Sequence, residues 1–500
     1  KIMIKKIIIL IFIFSFYACS TYSSSKLSDR IITNEDDKWK SIESNQNQNS
    51  ITSKWWTIFE DSKLDLIMEV FLSNNYDLKL AISSLESSKQ LAVYNAGKLL
   101  PDINARINNQ RAEQYLYFDK ERIKEGIEDN LPEDISNEIS DEDWEQLGEQ
   151  IGSIDPSYTN TYGLNLTSQW EIDAWGKLYS KRISAKKEYE ASKNEYKFLQ
   201  FSLISQAVKI YFNLVESKEQ LALADSSVSA YKDIFNIVEQ RYNQGVRSSL
   251  DYRLAKSNLL IAEASLERRR MVVDNLTREM EVLLGFYPSG LLETSNSLSI
   301  SLPSIPNNLP SEIIQRRPDI IATYNKVESS FSDLDYARKM KFPSFNITGS
   351  MGTSTDDLSK LLDGDFSVWS LGANITLPIF QSGKIKAYKN LSQSVLEQAE
   401  IQYIYSILKA FSEIENKLSM DKMLNSQLVS LREAYIQSKE AYLLAKDRYD
   451  KGLTNLITVL DSQKRMFDTD SQMISIQKLL IDNRIDLLIC LGGGLDEFEG

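Results

Sequence analysis

The sequence predicts a mixed α/β membrane protein built from an internal tandem repeat, with long coiled-coil helices and four β-strands in each chain. Three observations predict it. The stretch YGLNLTSQWEIDAW sets Tyr162, Leu164, Leu166, Trp170, Ile172 and Ala174 on one side and Gly163, Asn165, Thr167, Gln169, Glu171 and Asp173 on the other, which is the alternation of a strand. The segment RYNQGVRSSLDYRLAKSNL around Gly245 is similar to RYDKGLTNLITVLDSQKRM around Gly452, 207 residues later. Finally, Gly176 to Gly245 and Gly383 to Gly452 each span 69 residues of helix-forming sequence, about 100 Å if continuous at ~1.5 Å per residue.

Composition removes whole classes of function. The chain has 500 residues, a net charge of -13, two cysteines and no histidine. Histidine acid/base chemistry, Ser-His-Asp triads and His or Cys metal sites are excluded, and the acidic balance argues against nucleic acid as a partner. No Walker loop, nucleophile elbow or dinucleotide fingerprint is present, so the reading is not an enzyme and has no cofactor or metal.

At the N-terminus, KIMIKKIIILIFIFSFYACS has a basic start, an apolar run from Ile7 to Phe16, and Ala18 before Cys19. This is the layout of a secretory signal whose apolar run is too short to span a bilayer. With the polar STYSSSK that follows, it resembles a bacterial lipoprotein signal with Cys19 as the lipid-bearing residue. Cys490, in DLLICLGGGL, reads as a packed thiol.

The repeat has one register across several anchors. Gly176 and Gly383 are 207 residues apart, as are Tyr162 and Trp369, but Pro101 and Pro343 are 242 apart. The 35 extra residues fall between Pro101 and Tyr162, where the acidic stretch from Glu121 to Pro156 reads as a long solvated loop. Each copy runs helix, proline, strand, loop, strand, glycine, long helix, tight glycine turn and returning helix. Ile204, Ala207, Val208, Tyr211 and Val215 form one buried stripe, and Ala255, Leu259, Ala262 and Leu266 another. Between the copies, a linker with Pro303, Pro306 and Pro310 precedes RRPDI, where Pro318 and Asp319 suit a helix start.

Four strands cannot span a membrane alone, since backbone groups in hydrocarbon must be paired and the smallest closed barrels have about eight strands. Three chains would supply twelve. Tyr162 and Trp170 are eight residues apart, about 27 Å at ~3.4 Å per residue, which matches the apolar band of an outer-membrane barrel.

The ordered motifs WWTIFEDSKLDLIMEVFLSNNYDLKLA, LLPDINARI, QWEIDAWGKL, IIQRRPDIIATY, FPSFNITGS, LPIFQSGKI and LGGGL resemble the TolC-like outer membrane factor superfamily, in its NodT-type lipoprotein branch. The resemblance implies a homotrimer with a twelve-stranded barrel in outer membrane lipid and a helical barrel extending into the periplasm. It implies an export duct for drugs, metals or other small solutes, served by a periplasmic adaptor and an inner membrane transporter of the RND type. A type I secretion duct and a periplasmic coiled-coil structural or adaptor lipoprotein are the alternatives. The expected divisions are a signal peptide (1–18) and an N-terminal segment with the first helix (19–95), in which Trp55, Trp56, Phe59 and Leu64 pack across the helices. A first repeat (96–302) follows, with strands at about 101–110 and 162–174 and helices to about 285. The second repeat (303–500) has strands at about 343–351 and 369–379 and helices to about 490.

The same resemblance makes Gly245 and Gly452 the periplasmic tips where the pore closes. It matches Asp251 to a linking aspartate and Tyr449 to that aspartate's tyrosine partner. Thr454 stands where the family's tip arginine is expected, so that ion pair is absent. Asp461 matches one of two aperture aspartates, and Thr458 replaces the other.

Overall fold

The computed structural model describes residues 54–115, scattered positions between 125 and 146, and residues 156–298 and 316–492. The expected signal peptide, Cys19, most of the acidic stretch, the proline linker and the end of the LGGGL motif lie outside the described residues. A 3-10 turn at Trp55–Phe59 precedes α1 (Ser62–Asn74) and α2 (Tyr76–Gly97). There follow β1 (Asp102–Tyr115), β2 (Pro156–Ile172), α3 (Lys177–Asn243), α4 (Ser249–Leu283) and α5 (Pro318–Lys339). The second copy comprises β3 (Ser344–Thr355), β4 (Ser367–Thr376), α6 (Lys384–Asp450) and α7 (Leu456–Cys490). The repeat is visible in lengths alone: α3 and α6 have 67 residues each, and α4 and α7 have 35 each.

The chain forms two units, one helical and one β. In the helical unit, the stripe predicted on α3 is fully buried: Ile204, Ala207, Val208, Tyr211 and Val215 are all at 0% exposure. Trp55, Trp56, Phe59 and Leu64 pack in the same core with Phe201 and Phe212 of α3 and Ile481 and Ile485 of α7. Trp55 meets the Phe201 ring edge-on at 6.0 Å, and Phe59 meets Phe212 at 5.0 Å. Each such side chain taken out of water contributes about 1.5–3 kcal/mol. An 18-residue window of α3 is apolar enough to cross a bilayer by composition, but half of it is buried in this unit, which is the character of a core helix.

Polar side chains fix the ends of these helices. Asp61 caps α1 by accepting from the Lys63 and Leu64 amides, and it also accepts from the Tyr211 hydroxyl at 2.6 Å. Glu281, near the end of α4, accepts from the Ser289 hydroxyl and from the backbone N–H groups of Gly290, Leu291 and Leu292. In the RRPD motif the buried Arg317 donates to Asp319 at 2.7 Å, to Glu413 of α6 at 3.0 Å and to the carbonyl of Cys490 at 3.4 Å. Arg317 therefore ties the start of α5 to the end of α7, and burial pushes the nearby Cys490 thiol up to about 11.

The β unit is one antiparallel sheet in the order β1-β2-β3-β4. β2 begins at Pro156, within the stretch expected to be loop, because Ser157 to Thr161 pair with β1 beyond the apolar alternation. Ladder hydrogen bonds need no apolar pattern, so this extension was invisible to periodicity. β2 ends at Ile172, before the expected Ala174: Asp173 leaves the ladder to accept from the Leu178 and Tyr179 amides at the start of α3. β4 ends at Thr376 rather than near 379, where Pro378 has no N–H to donate.

Candidate functional site

Two places in the molecule combine chemistry with geometry: the sheet and the paired helix turns. The sheet's register collects all the apolar alternations on one face. Ala105 is opposite Leu166, Leu166 opposite Met351, and Met351 opposite Trp369. The row two steps along, toward the helix-connected end, pairs Ile347 with Trp170 on one side and Ala373 on the other. Much of this face is bare, with Ile107 77% exposed, Trp369 80% and Leu371 73%, while Ile347 is half-buried. Apolar surface so continuous on a sheet face marks an interaction with lipid or protein.

The opposite face carries Asn104, Asn108, Asn165, Thr167, Ser350, Ser370 and Asn374. Its neighbours bond across the strands, Asn165 to Asn108 at 3.3 Å and Ser350 to Ser370 at 2.8 Å. Arg106, opposite Asn165, and Glu171, opposite Asn346, share this face, so amides and hydroxyls with a few charges make it polar and hydrated. At Gly352 a Cβ would lie 2.1 Å from the Leu164 carbonyl oxygen, so β2 and β3 approach there only because glycine has no side chain. Among the described residues β1 and β4 each pair on one edge only.

The helix turns are built by local rules. Gly245 and Gly452 adopt φ of 75° and 74°, the left-handed conformation that glycine takes without strain. In each turn the next residue's amide reaches back to an arginine carbonyl, Val246 to Arg241 at 2.8 Å and Leu453 to Arg448 at 2.8 Å, which closes the helix end. Ser248 then caps α4 through the Asp251 amide, and Asn455 caps α7 through the Thr458 amide. All four helix ends share one apolar cluster, with Val238 from α3, Ala255 from α4, Tyr449 from α6 and Val459 from α7 among its members.

Within this arrangement the residues singled out from sequence take distinct positions. Asp251 is half-buried in the first turn of α4. Thr454 is half-buried in the second turn, and Thr458 is exposed, its hydroxyl and amide both donating to Asn455 at 2.9 Å. Asp461 is exposed and accepts from Arg465 one turn on at 3.0 Å. Tyr449 is 3% exposed, and its buried hydroxyl has no hydrogen-bond partner among the described residues.

One residue that the sequence reading passed over completes the picture. Arg247 holds its guanidinium 4.6 Å from the centre of the Tyr449 ring, with Arg241 on the same ring at 5.3 Å. Arg241 also pairs with Asp450 at 3.7 Å. Arg247 is the repeat counterpart of Thr454, 207 residues earlier, so the tip has an arginine two residues after a glycine, in the first copy instead of the second. The signal was in the repeat register itself. Gln463, on the buried stripe of α7, is at 0% exposure with neither amide atom partnered among the described residues. Among the described residues no group of His, Cys, Asp and Glu side chains is arranged to hold a metal.

Comparison with known proteins agrees with this geometry. The profile of the family described as outer membrane efflux protein matches two successive segments, residues 67–285 and 309–493. The toluene efflux pump outer membrane protein TtgF of Pseudomonas putida is 27% identical over 447 residues, covering 89% of this chain and 86% of the relative. The pyoverdine export outer membrane protein OpmQ of Pseudomonas putida is 25% identical over 462 residues, covering 91% of each. The crystal structure of the Campylobacter jejuni CmeC outer membrane channel superposes with a TM-score of 0.80 at 26% identity, over 96% of this chain and 94% of that one. The chain belongs to the outer membrane efflux protein family, and it is the outer membrane channel of a bacterial efflux or export system, extending into the periplasm and working with an adaptor and an inner membrane transporter.

Proposed function

We propose that three copies close their sheets edge to edge into a twelve-stranded barrel, apolar face to lipid and amide face to a water-filled lumen. The observation that carries this reading is the pairing of two unlike faces with two open edges. An unpaired strand edge in hydrocarbon costs several kcal/mol for each orphaned group, so β4 of one copy must meet β1 of the next. The helix turns then form the periplasmic aperture, with Asp251 and Asp461 supplying six carboxylates per trimer and Tyr449, packed beneath Arg247 and Arg241, holding the two turns of one copy together. The inner membrane partner in this reading is of the RND type, and Cys19 carries a lipid anchor. The cargo is small solutes, a class supported by relatives whose names record toluene and pyoverdine export.

Planar-bilayer recording on purified full-length protein tests the reading, with native mass spectrometry reporting subunit number. The expected result is a trimer with stepwise conductance. A folded trimer that forms no pore would favour a structural role and sink the channel assignment of the sheet. Cys19→Ser is expected to abolish fatty-acid labelling while pores persist; unchanged labelling would remove the anchor.

A further inference from the structure

We infer that the helix-connected end of the sheet binds anionic glycerophospholipid headgroups. The inference rests on the reading that the apolar face of the sheet meets lipid. The register sets Asp102, Ile172, Ser344 and Thr376 at that end, and the chain runs from these strand ends through residues 98–102, 171–177, 338–344 and 376–386 to the helices. Together they hold seven basic side chains against three acidic ones, in a chain whose net charge is -13. At the far end, residues 109–115, 156–160 and 353–368 hold two basic side chains against five acidic ones. The two ends of the apolar band therefore differ in sign.

Much of the acidic charge at the basic end is already engaged. Glu171 pairs with Lys177 at 2.5 Å, and Asp173 is held by the Leu178 and Tyr179 amides. Lys341, Lys384 and Lys386 are exposed and form no ion pair among the described residues. Lys341 lies 5.3 Å from the centre of the Phe342 ring, and Phe342 packs 5.3 Å from Trp175. Trp175 donates its indole N–H to the Pro343 carbonyl at 2.8 Å, and Trp170 donates to the Leu99 carbonyl at 3.0 Å. Indoles with satisfied N–H groups at the end of an apolar band are the side chains of a membrane–water boundary. Lysines at that level meet headgroup phosphates, and each strengthens binding to an anionic surface about fivefold at low salt. A neutral or zwitterionic lipid gains nothing from an excess of cations, so charge complementarity selects the anionic one.

The test uses full-length protein in neutral detergent, with native mass spectrometry counting bound phosphatidylglycerol against phosphatidylcholine. The variant is the triple Lys341→Gln, Lys384→Gln, Lys386→Gln. A matched control replaces the exposed Lys256, Lys422 and Lys439 of the helical unit by Gln. Wild type and control are expected to prefer phosphatidylglycerol by roughly tenfold or more, and the triple variant to lose most of that preference. Pore conductance in pure phosphatidylcholine stays as in wild type for all three. Equal retention of both lipids by wild type would overturn the proposal, as would an unchanged preference in the triple variant or an equal loss in the control. A triple variant that no longer forms the oligomer would reassign the patch to an interface between copies. Wild type that makes no pore in phosphatidylcholine would instead overturn the barrel reading beneath it.

Discussion

The helices α3 and α6 are the same element made twice, and their surroundings differ sharply. Phe201 of α3 is 2% exposed, whereas its counterpart Leu408 of α6 is 43% exposed; Ser184 is 4% exposed and its counterpart Leu391 58%. For Phe201 the cause is the N-terminal segment, whose Trp55 ring lies 6.0 Å away, and for Ser184 it is α5, whose Ser329 hydroxyl lies 3.2 Å away. Trp55, Trp56 and Phe59 cover α3, and among the described residues no matching aromatic segment covers α6. Leu391, Val395, Ile401, Tyr405 and Leu408 are left bare on one side of α6. Helical spacing groups them on one stripe. Equal backbones with unequal cover teach that the first copy packs within its own chain, while the second presents an apolar stripe suited to another copy.

The strongest way to break this comparison is to charge the bare stripe. Tyr405→Lys with Leu408→Lys is expected to abolish the proposed trimer on native gels while far-ultraviolet circular dichroism keeps its helical signal. A surviving trimer would mean that the stripe of α6 is not what joins the copies. On the covered side, Trp55→Ala should lower stability by about 3–5 kcal/mol through the cavity it leaves. Denaturant unfolding of the purified protein measures this, and a loss below ~1 kcal/mol would show that the segment does not hold α3.

Smaller effects sharpen the same contrast. Gly352→Val places a side chain against the Leu164 carbonyl and is expected to cost channel formation in bilayers with helix content retained; normal pores would show that β2 and β3 separate freely. Glu281 belongs to the first copy's self-contained packing. Burial alone would raise its carboxyl, but the Gly290 and Leu291 amides, the Ser289 hydroxyl and the Leu292 amide outweigh this and hold it below the ordinary 4.5. Its stabilising contribution is thus fully present above that value and is lost as pH falls through the lower folded value. Melting temperature followed from pH 6 downward to about 3 should fall less steeply in Glu281→Gln than in wild type; parallel curves would remove Glu281 from the acid response.

The smallest expected effects lie at the turns. Tyr449→Phe removes a buried hydroxyl that has no partner among the described residues, so the fold keeps its stability to within about 1 kcal/mol. Resting conductance should stay as in wild type, and a clear rise would show that the hydroxyl leaves its buried position to reach a neighbouring copy. Asp461→Asn is expected to shift the reversal potential in a salt gradient slightly, since Arg465 already offsets part of that charge. No shift would return Asp461 to an ordinary exposed carboxylate.

The sequence by itself determined the repeat, the glycine turns, the buried stripe of α3 and the two-faced strands, because each follows from local rules of period and conformation read along a single segment. Asp251, Tyr449, Thr454, Thr458 and Asp461 could be placed near the turns for the same reason, since they lie within nine residues of Gly245 or Gly452. What only the tertiary structure decided are relations between segments far apart in the chain. Arg247 and Arg241 of the first copy were laid over the Tyr449 ring of the second, and Glu281 was matched with a loop rather than with its own helix. The strand ends were set by pairing and by Pro378 more than by hydrophobic alternation. Such choices depend on packing between elements, where the energy of one side chain is fixed by a partner that periodicity cannot see.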